Sequence, residues 1–404
     1  MIGAGQAGLS ASHELAARDV EHVVLERGVL GDTWRTRRWR SFHIVSPNSL
    51  NLLPGYEYDG PEPDAFLDTR GILDYLEGYA ASFAAPIRSE SPVREVSPAD
   101  AGGFRVRTPH FDLHAAHVIV ATGAFGAAHT PALAAQLPAA ITSLHTDDYW
   151  APEDLPPGGV LVVGSGQSGL QIAYELANAG RDVTVAIGRH GWVPRRVYGR
   201  DQMLWRWDRR DYQAIVADPE RPRADYPFTF LARWGDRDFN VRTVWQAGVR
   251  LAGHLVGVDG ARVTFARDLE PLLRAGDDEA RTFVTRVRDF ARARGDDVPE
   301  PELVSHWRER EIPQAPDALD LEGAGIRTVI WSTGYRQDFS WLRVPGVLAG
   351  NGAPYQRQGV SPVPGVYFVG LHRMWEAGSG TLLGCGWAAT NVAEHVAARL
   401  RPPG

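Results

Sequence analysis

Apolar and polar positions along the chain repeat one order of periods twice. The first stretch runs Gly3-Ala4-Gly5-Gln6-Ala7-Gly8, continues with apolar residues at helical spacing over 9–17, and reaches the short apolar run Val23-Val24-Leu25, which stops on Glu26. The second opens with the continuous apolar run Val160-Leu161-Val162-Val163 and passes through Gly164-Ser165-Gly166-Gln167-Ser168-Gly169. It continues as a helix-like segment over 170–179 and closes with an apolar strand-like run over 183–187. Short continuous apolar runs predict buried strands and a period near 3.6 predicts helices, so each stretch reads as strand, glycine turn, helix, strand. A second feature also recurs. Val118-Ile119-Val120-Ala121-Thr122-Gly123 and Thr328-Val329-Ile330-Trp331-Ser332-Thr333-Gly334-Tyr335 are both apolar runs that stop at Thr-Gly. The segment 270–294 alternates charge with apolar residues at helical spacing and predicts an amphipathic helix with one solvated face.

The glycines have a chemical reason. In a strand–turn–helix unit the first permits the tight turn, the second lets the backbone approach a pyrophosphate, and the third lets helix and strand pack closely. The helix N-terminus then offers unpaired N–H groups and partial positive charge to the phosphates. One such turn is weak evidence, since any glycine-rich turn matches; two in matching contexts are strong. The strand ends separate the copies. Glu26, 18 residues past Gly8, is placed to accept hydrogen bonds from an adenosine ribose. The second copy ends Ile187-Gly188-Arg189-His190, and an arginine there suits a ribose 2′-phosphate. The first site is therefore expected to take FAD and the second NADPH, with Arg195 and Arg196 as further phosphate candidates; the alternative for these arginines is a solvated basic surface. The expected fold class is α/β, with two Rossmann-like dinucleotide-binding domains.

Composition narrows the field. The chain has 404 residues, 44% hydrophobic, with net charge -7; this suits two or three globular domains and gives no basic face for nucleic acid. A single cysteine, Cys385, excludes a disulfide framework and a Cys-x-x-Cys redox pair. No apolar run reaches membrane-spanning length and no signal peptide opens the chain, so the expectation is a cytoplasmic enzyme without membrane attachment. The scattered histidines lack metal-ligand spacing.

With these motifs assembled, the chain resembles the class B flavoprotein monooxygenases, which include flavin-containing monooxygenases, Baeyer–Villiger monooxygenases and N-hydroxylases. It most resembles a bacterial branch labelled as flavoproteins involved in potassium transport. The resemblance rests on the two glycine turns, Gly31-Asp32-Thr33-Trp34, the two Thr-Gly strand ends, Tyr367-Phe368-Val369-Gly370 and Ser379-Gly380-Thr381-Leu382-Leu383-Gly384. It implies that an NADPH domain (151–325, with a Trp- and Arg-rich insertion) is inserted into a discontinuous FAD domain (1–150 and 326–404). It implies that NADPH reduces FAD, that O2 adds to the reduced flavin at C4a, and that the peroxyflavin oxygenates a small organic substrate. The cofactor residues implied are Gly3, Gly5, Gln6, Ala7, Gly8, Glu26, Arg27, Thr33, Trp34, Ala121, Thr122, Gly123, Leu382 and Leu383 for FAD. For NADPH they are Gly164, Gly166, Gln167, Ser168, Gly169, Arg189, Arg195, Thr333 and Gly334. Asn48 in Ser46-Pro47-Asn48-Ser49-Leu50 is the candidate active-site amide, with an Asx-turn residue as the alternative.

Two departures from the family pattern stand out. Of the family fingerprint Phe-x-Gly-x-x-x-His-x-x-x-(Trp or Tyr), His145 and Tyr149 fit the second half, while Ala139 and Ile141 replace Phe and Gly. His145 is the candidate sensor of NADPH, with a surface-loop histidine as the alternative. Ahead of the first glycine turn stand only Met1 and Ile2, where the family has a strand; the expectation is that neighbouring strands lose pairing there. The tryptophans of the insertion, among them Trp205, Trp207, Trp234 and Trp245, are candidates for a substrate entrance or for ordinary packing. Two further readings stay open: an NADPH–FAD reductase or oxidase producing peroxide, and a non-enzymatic flavoprotein sensor. A homodimer is compatible with all of them.

Overall fold

The computed structural model describes residues 1–188, 191–211, 239–300, 312–371 and 378–400. Two parallel sheets organise it. In the first, Ile87–Arg88 pairs with Val24–Leu25, and Val118–Val120 pairs with Val366–Phe368. Ile2 lies between the two pairs, bridging Leu25 on one side and Val120 on the other. The expected loss of pairing at the N-terminus is therefore not found. The backbone N–H of Ile2 donates to Ile119, Gly3 donates to Leu25, Leu25 donates to Met1 and Ala121 donates to Ile2. Three residues suffice because a parallel strand shares its groups alternately with two neighbours. The helix Gln6–Ala16 leaves this strand and packs on the C-terminal helix Cys385–Leu400, with Leu9, Leu15, Ala389, Val392 and Val396 in one core. The C-terminal helix thus packs on the first unit.

The second sheet has five parallel strands in the order Thr142–His145, Ile326–Trp331, Gly159–Val163, Val183–Ala186, Arg250–Ala252. Gly159–Val163 and Val183–Ala186 are buried throughout, which explains why they read as unbroken apolar runs: a parallel sheet covered on both faces has no polar side. The strand assignments move the expected boundaries. Thr142–His145 and Ile326–Trp331, placed by sequence in the flanking FAD segments, both belong to the second sheet. The chain crosses between the units at Ala127–Ala128 and Tyr335–Arg336, which pair with each other in antiparallel register, Tyr335 opposite Ala128.

The insertion after the second unit's glycine helix is anchored rather than loose. The predicted amphipathic helix runs Leu269–Ala293, with Phe283, Val284, Val287 and Ala291 packed on Val193, Val197 and Trp205. Its buried Asp277 accepts hydrogen bonds from Arg242 (Nη2, 2.7 Å) and Trp192 (Nε1, 3.2 Å). Trp205 and Trp192 are therefore packing residues, Trp245 packs on the second unit's core, and Trp234 lies outside the described residues. No helix among the described residues is long and apolar enough to cross a membrane, and none of their His, Cys, Asp and Glu side chains group to hold a metal ion.

Candidate active site

The two glycine turns are built alike, atom for atom. Gly3 and Gly164 have φ of +107° and +110°, a region side chains avoid. A Cβ on either would strike the carbonyl of a Thr-Gly strand end, Ala121 O at 2.5 Å or Ser332 O at 2.3 Å. A Cβ on Gly8 or Gly169 would strike the carbonyl of the first glycine in its own turn, at 1.9 and 2.2 Å. The middle glycines differ: around the Cβ positions of Gly5 and Gly166 no atom of the described residues lies within 4 Å. Each is the N-cap of its helix, Gln6–Ala16 or Gln167–Asn178, with no side chain capping it. Strand and helix are locked together while the face over the middle glycine and the helix N–H groups is open. That geometry fits a pyrophosphate at both turns. Ala121 is buried beside the first turn and Ser332 stands beside the second, while the Thr333 hydroxyl donates to the His129 carbonyl.

At the strand ends the copies diverge. Glu26 is buried and accepts from the Ala4 N–H (2.7 Å) and the Gly28 N–H (3.2 Å), so its carboxylate is fixed beside the first turn. Arg27 lies 3.6 Å from Asp32 and donates to Thr33 at 3.4 Å, tying the strand end to the Gly31-Asp32-Thr33-Trp34 segment. In the second copy the Ser165 hydroxyl bridges the turn to Gly188 N and O, at 3.1 and 3.3 Å. Arg189, the proposed 2′-phosphate ligand, lies outside the described residues. Arg195 has partners of its own within the protein. It is buried, paired with Asp201 at 2.5 Å, donates to the Val45 carbonyl at 3.0 Å and lies 4.3 Å from the Phe66 ring centre. Burial raises the Asp201 carboxyl and Arg195 opposes the rise. Arg195 therefore ties the inserted unit to the first; its partners lie up to 150 residues away in sequence.

The segments expected around the flavin ring converge. Gln6 reaches the Gly380 carbonyl at 3.5 Å, and Gly370 packs so close to Ala7 that a Cβ there would lie 2.1 Å from it. Leu383 joins Leu50 and Met203 in an apolar cluster edged by Leu52, Leu204, Trp207 and Trp387, while Leu382 lies in the main core. Trp207 and Trp387 stack at 6.3 Å, so one insertion tryptophan does come to this region. Asn48 is buried beside the cluster. Its Nδ2 donates to the Glu62 carbonyl at 2.9 Å, fourteen residues on, so it is not an Asx-turn bond. Its Oδ1 has no partner among the described residues, and neither amide atom of the fully buried Asn51 has one. Buried amides without partners are costly, which makes this a place built to receive a polar group. Asn51 was not singled out from sequence, where it looks like any loop asparagine.

His145 is buried at the end of its strand, not on a surface loop. The Asp147 N–H donates to its Nδ1 at 3.2 Å, which leaves Nε2 to donate to the Gly334 carbonyl at 3.1 Å. Asp147 in turn accepts from the Tyr335 hydroxyl and lies 3.4 Å from Arg37. Arg38 faces the rings of Trp34, Phe42 and Phe125. Burial lowers its pKa, against the pull of Tyr335 and Asp147; burial and the Asp147 contact push the Tyr335 hydroxyl up to about 12. This group joins the fingerprint, the second Thr-Gly end and the Trp34 segment across the two units. Sequence supplied His145 and Gly334 but no role for Arg37, Asp147 or Tyr335. Ile141, in place of the fingerprint glycine, is buried in the second unit's core. Cys385 is also buried, and burial pushes its thiol up to about 11.

Comparisons with known proteins agree with this construction. The model of a family described as pyridine nucleotide-disulphide oxidoreductase matches residues 1–199. Over nearly its whole length the chain is similar to a CzcO-like oxidoreductase of Geobacillus kaustophilus: 27% identical, covering 96% of this chain and 94% of the relative. It is 25% identical to an indole-3-pyruvate monooxygenase, YUCCA1, of Oryza sativa, covering 98% and 90%. The fold matches that of a flavin-containing monooxygenase from Stenotrophomonas maltophilia with a TM-score of 0.66, at 21% identity, covering 99% and 98%. The resemblance to the class B flavoprotein monooxygenases is thereby borne out. The chain is a flavin-dependent oxidoreductase, with FAD and NADPH as its cofactor pair.

Proposed function

We propose that the chain is an NADPH-reduced, FAD-dependent monooxygenase that uses O2 to oxygenate a small organic substrate. The observation that carries this reading is the junction at Asn48. There an unpartnered buried carbonyl oxygen adjoins an apolar cluster drawn from the first unit (Leu50), the insertion (Met203) and the C-terminal segment (Leu383). Bound FAD supplies the redox and oxygen-transfer chemistry. The residues of the chain bind, orient and exclude water. The two turns hold pyrophosphates, Glu26 holds a ribose, and the Leu50–Met203–Leu383 cluster keeps the reacting region dry. Asn48 offers a fixed hydrogen-bonding amide, the His145–Gly334 bond fixes the strand ends of the second unit, and the Asp147–Arg37 contact holds that unit in place against the first.

A second reading, an NADPH–FAD oxidase releasing peroxide, draws support from Ile141, whose side chain fills core where the family fingerprint has a glycine. One experiment separates the two. Under anaerobic conditions NADPH is added to the FAD-loaded protein and bleaching of the flavin is followed; O2 is then admitted with members of a substrate panel, and oxygenated product is compared with NADPH consumed. Product in proportion to NADPH supports the monooxygenase. Peroxide in full stoichiometry with every substrate refutes it.

A further inference from the structure

The second nucleotide turn lacks at its strand end the side chain that completes the first. Ile187 stands where Glu26 does, each 18 residues past the third glycine (187 − 169 and 26 − 8). Ile187 is fully buried and its N–H donates to the Ala252 carbonyl. Gly188 follows, tied to the turn by Ser165. A Cβ on Gly188 would lie 3.2 Å from His254 Nε2 and 3.6 Å from its Cδ2. His254 comes from the loop that follows Arg250–Ala252, the strand paired with Val183–Ala186. Its ring is held from the other side: Nδ1 donates to Asp268 Oδ2 at 2.6 Å, and the His254 backbone N–H donates to Asp268 Oδ1 at 3.0 Å. Asp268 is the N-cap position of the helix Leu269–Ala293, so this anchor stands on a rigid element. Burial pushes the Asp268 carboxyl up, but the His254 hydrogen bonds outweigh it and hold the group below the usual carboxylate range. With Nδ1 occupied, Nε2 is the nitrogen left to face Gly188, and the side chain is 47% exposed.

We infer that His254, positioned by Asp268, is a specificity residue for the ribose 2′-phosphate of NADPH. The end of this strand is where a dinucleotide presents its 2′ substituent. A carboxylate there accepts hydrogen bonds from a ribose and repels a phosphate; an imidazolium, its Nδ1–H held by Asp268, has a second N–H at Nε2 to donate to a phosphate oxygen, and both anions favour that charged form. Gly188, lacking a side chain, places no Cβ against Nε2. Of the arginines the sequence offered for this task, Arg189 lies outside the described residues and Arg195, a further candidate, is engaged by Asp201 and Val45. The inference rests on the NADPH reading above, and its test distinguishes the failure of each.

The FAD-loaded protein, unaltered and as His254→Ala, His254→Lys and Asp268→Asn, is titrated with 2′,5′-ADP and with 5′-ADP by calorimetry. The unaltered protein is expected to prefer 2′,5′-ADP. His254→Ala is expected to weaken 2′,5′-ADP about tenfold, the worth of one hydrogen bond to a charged group, while leaving 5′-ADP unchanged. His254→Lys restores most of the preference by returning a donor, and Asp268→Asn lowers it by freeing the ring. KM for NADPH rises in His254→Ala with KM for NADH unmoved. If His254→Ala weakens both ligands equally, or neither, the inference is overturned. If the unaltered protein itself shows no preference for 2′,5′-ADP, the NADPH reading fails with it.

Discussion

The middle glycines allow folding and cofactor binding to be separated with one methyl group. Gly5 has φ −83° and ψ −174°, a conformation alanine adopts freely, and no atom of the described residues lies within 4 Å of the added Cβ. Gly5→Ala therefore costs the apoprotein nothing in contacts, and it stiffens the unfolded chain, which is worth about 0.4–1 kcal/mol in favour of folding. The same methyl occupies the face where a pyrophosphate meets the helix N–H groups. Losing two such charged hydrogen bonds, at about 1.5–3 kcal/mol each, predicts about 3–6 kcal/mol. That is a loss of about two to four decades in FAD affinity. Gly8→Ala is the opposite case. Its Cβ would lie 1.9 Å from the Gly3 carbonyl oxygen, a backbone atom that cannot yield without parting helix from strand, so the apoprotein itself is destabilised. Thermal melts of deflavinated protein and fluorescence titration with FAD read the two effects apart. An apo Gly5→Ala that melts well below the unaltered protein, or one that binds FAD with undiminished affinity, would refute the assignment of this face to the pyrophosphate.

Other outcomes follow from the same contacts. Asp147→Ala removes the acceptor of the Tyr335 hydroxyl and the partner of Arg37. It is expected to cost about 1–3 kcal/mol of stability and to slow anaerobic flavin reduction by NADPH; Tyr335→Phe should reproduce part of that slowing, and unchanged reduction rates in both would dissociate this contact from electron delivery. Arg242→Ala strands the buried Asp277 carboxylate and is expected to cost about 3–5 kcal/mol in urea unfolding, most of which the double change Arg242→Met with Asp277→Leu recovers. The Cys385 thiol, raised from 9.0 to about 11 by burial, stays protonated in the folded state over a range where the unfolded chain releases its proton. Its contribution to stability is thus complete below about pH 9 and is lost as pH rises through about 11. A thiol reagent at pH 8 should label Cys385 only after denaturant is added.

What the sequence made legible is what local spacing determines. The glycine turns, Glu26, the buried strands and the helix over 269–293 each follow from periodicity or from a turn that a few neighbouring residues define. The short strand at Ile2 was misjudged because strand length was taken as a measure of pairing; its N–H and C=O groups find partners on both sides within three residues. The partners of Arg195 were illegible for a different reason. A guanidinium near a phosphate motif looks available until Asp201, Val45 and Phe66 are brought around it, and two of these are more than a hundred residues away. His254 gave no signal at all. Its meaning comes from the neighbouring strand's position and from Asp268, fourteen residues later, and no local pattern encodes either.

The two crossings between units, Ala127–Ala128 and Tyr335–Arg336, run side by side as one antiparallel ribbon. Directly opposed residues in such a ribbon have Cα atoms about 4.5–5.5 Å apart. In topological terms the whole nucleotide unit is therefore a single long excursion that leaves the first unit and re-enters it at the same doorway. A polypeptide that skips the excursion, joining residue 126 to residue 337 through one or two glycines, would have no gap to span. The second unit, closed on itself by the same few residues, would present neighbouring ends suited to circular permutation. The enzyme is in this sense already cut into exchangeable parts, with the seam written in four residues.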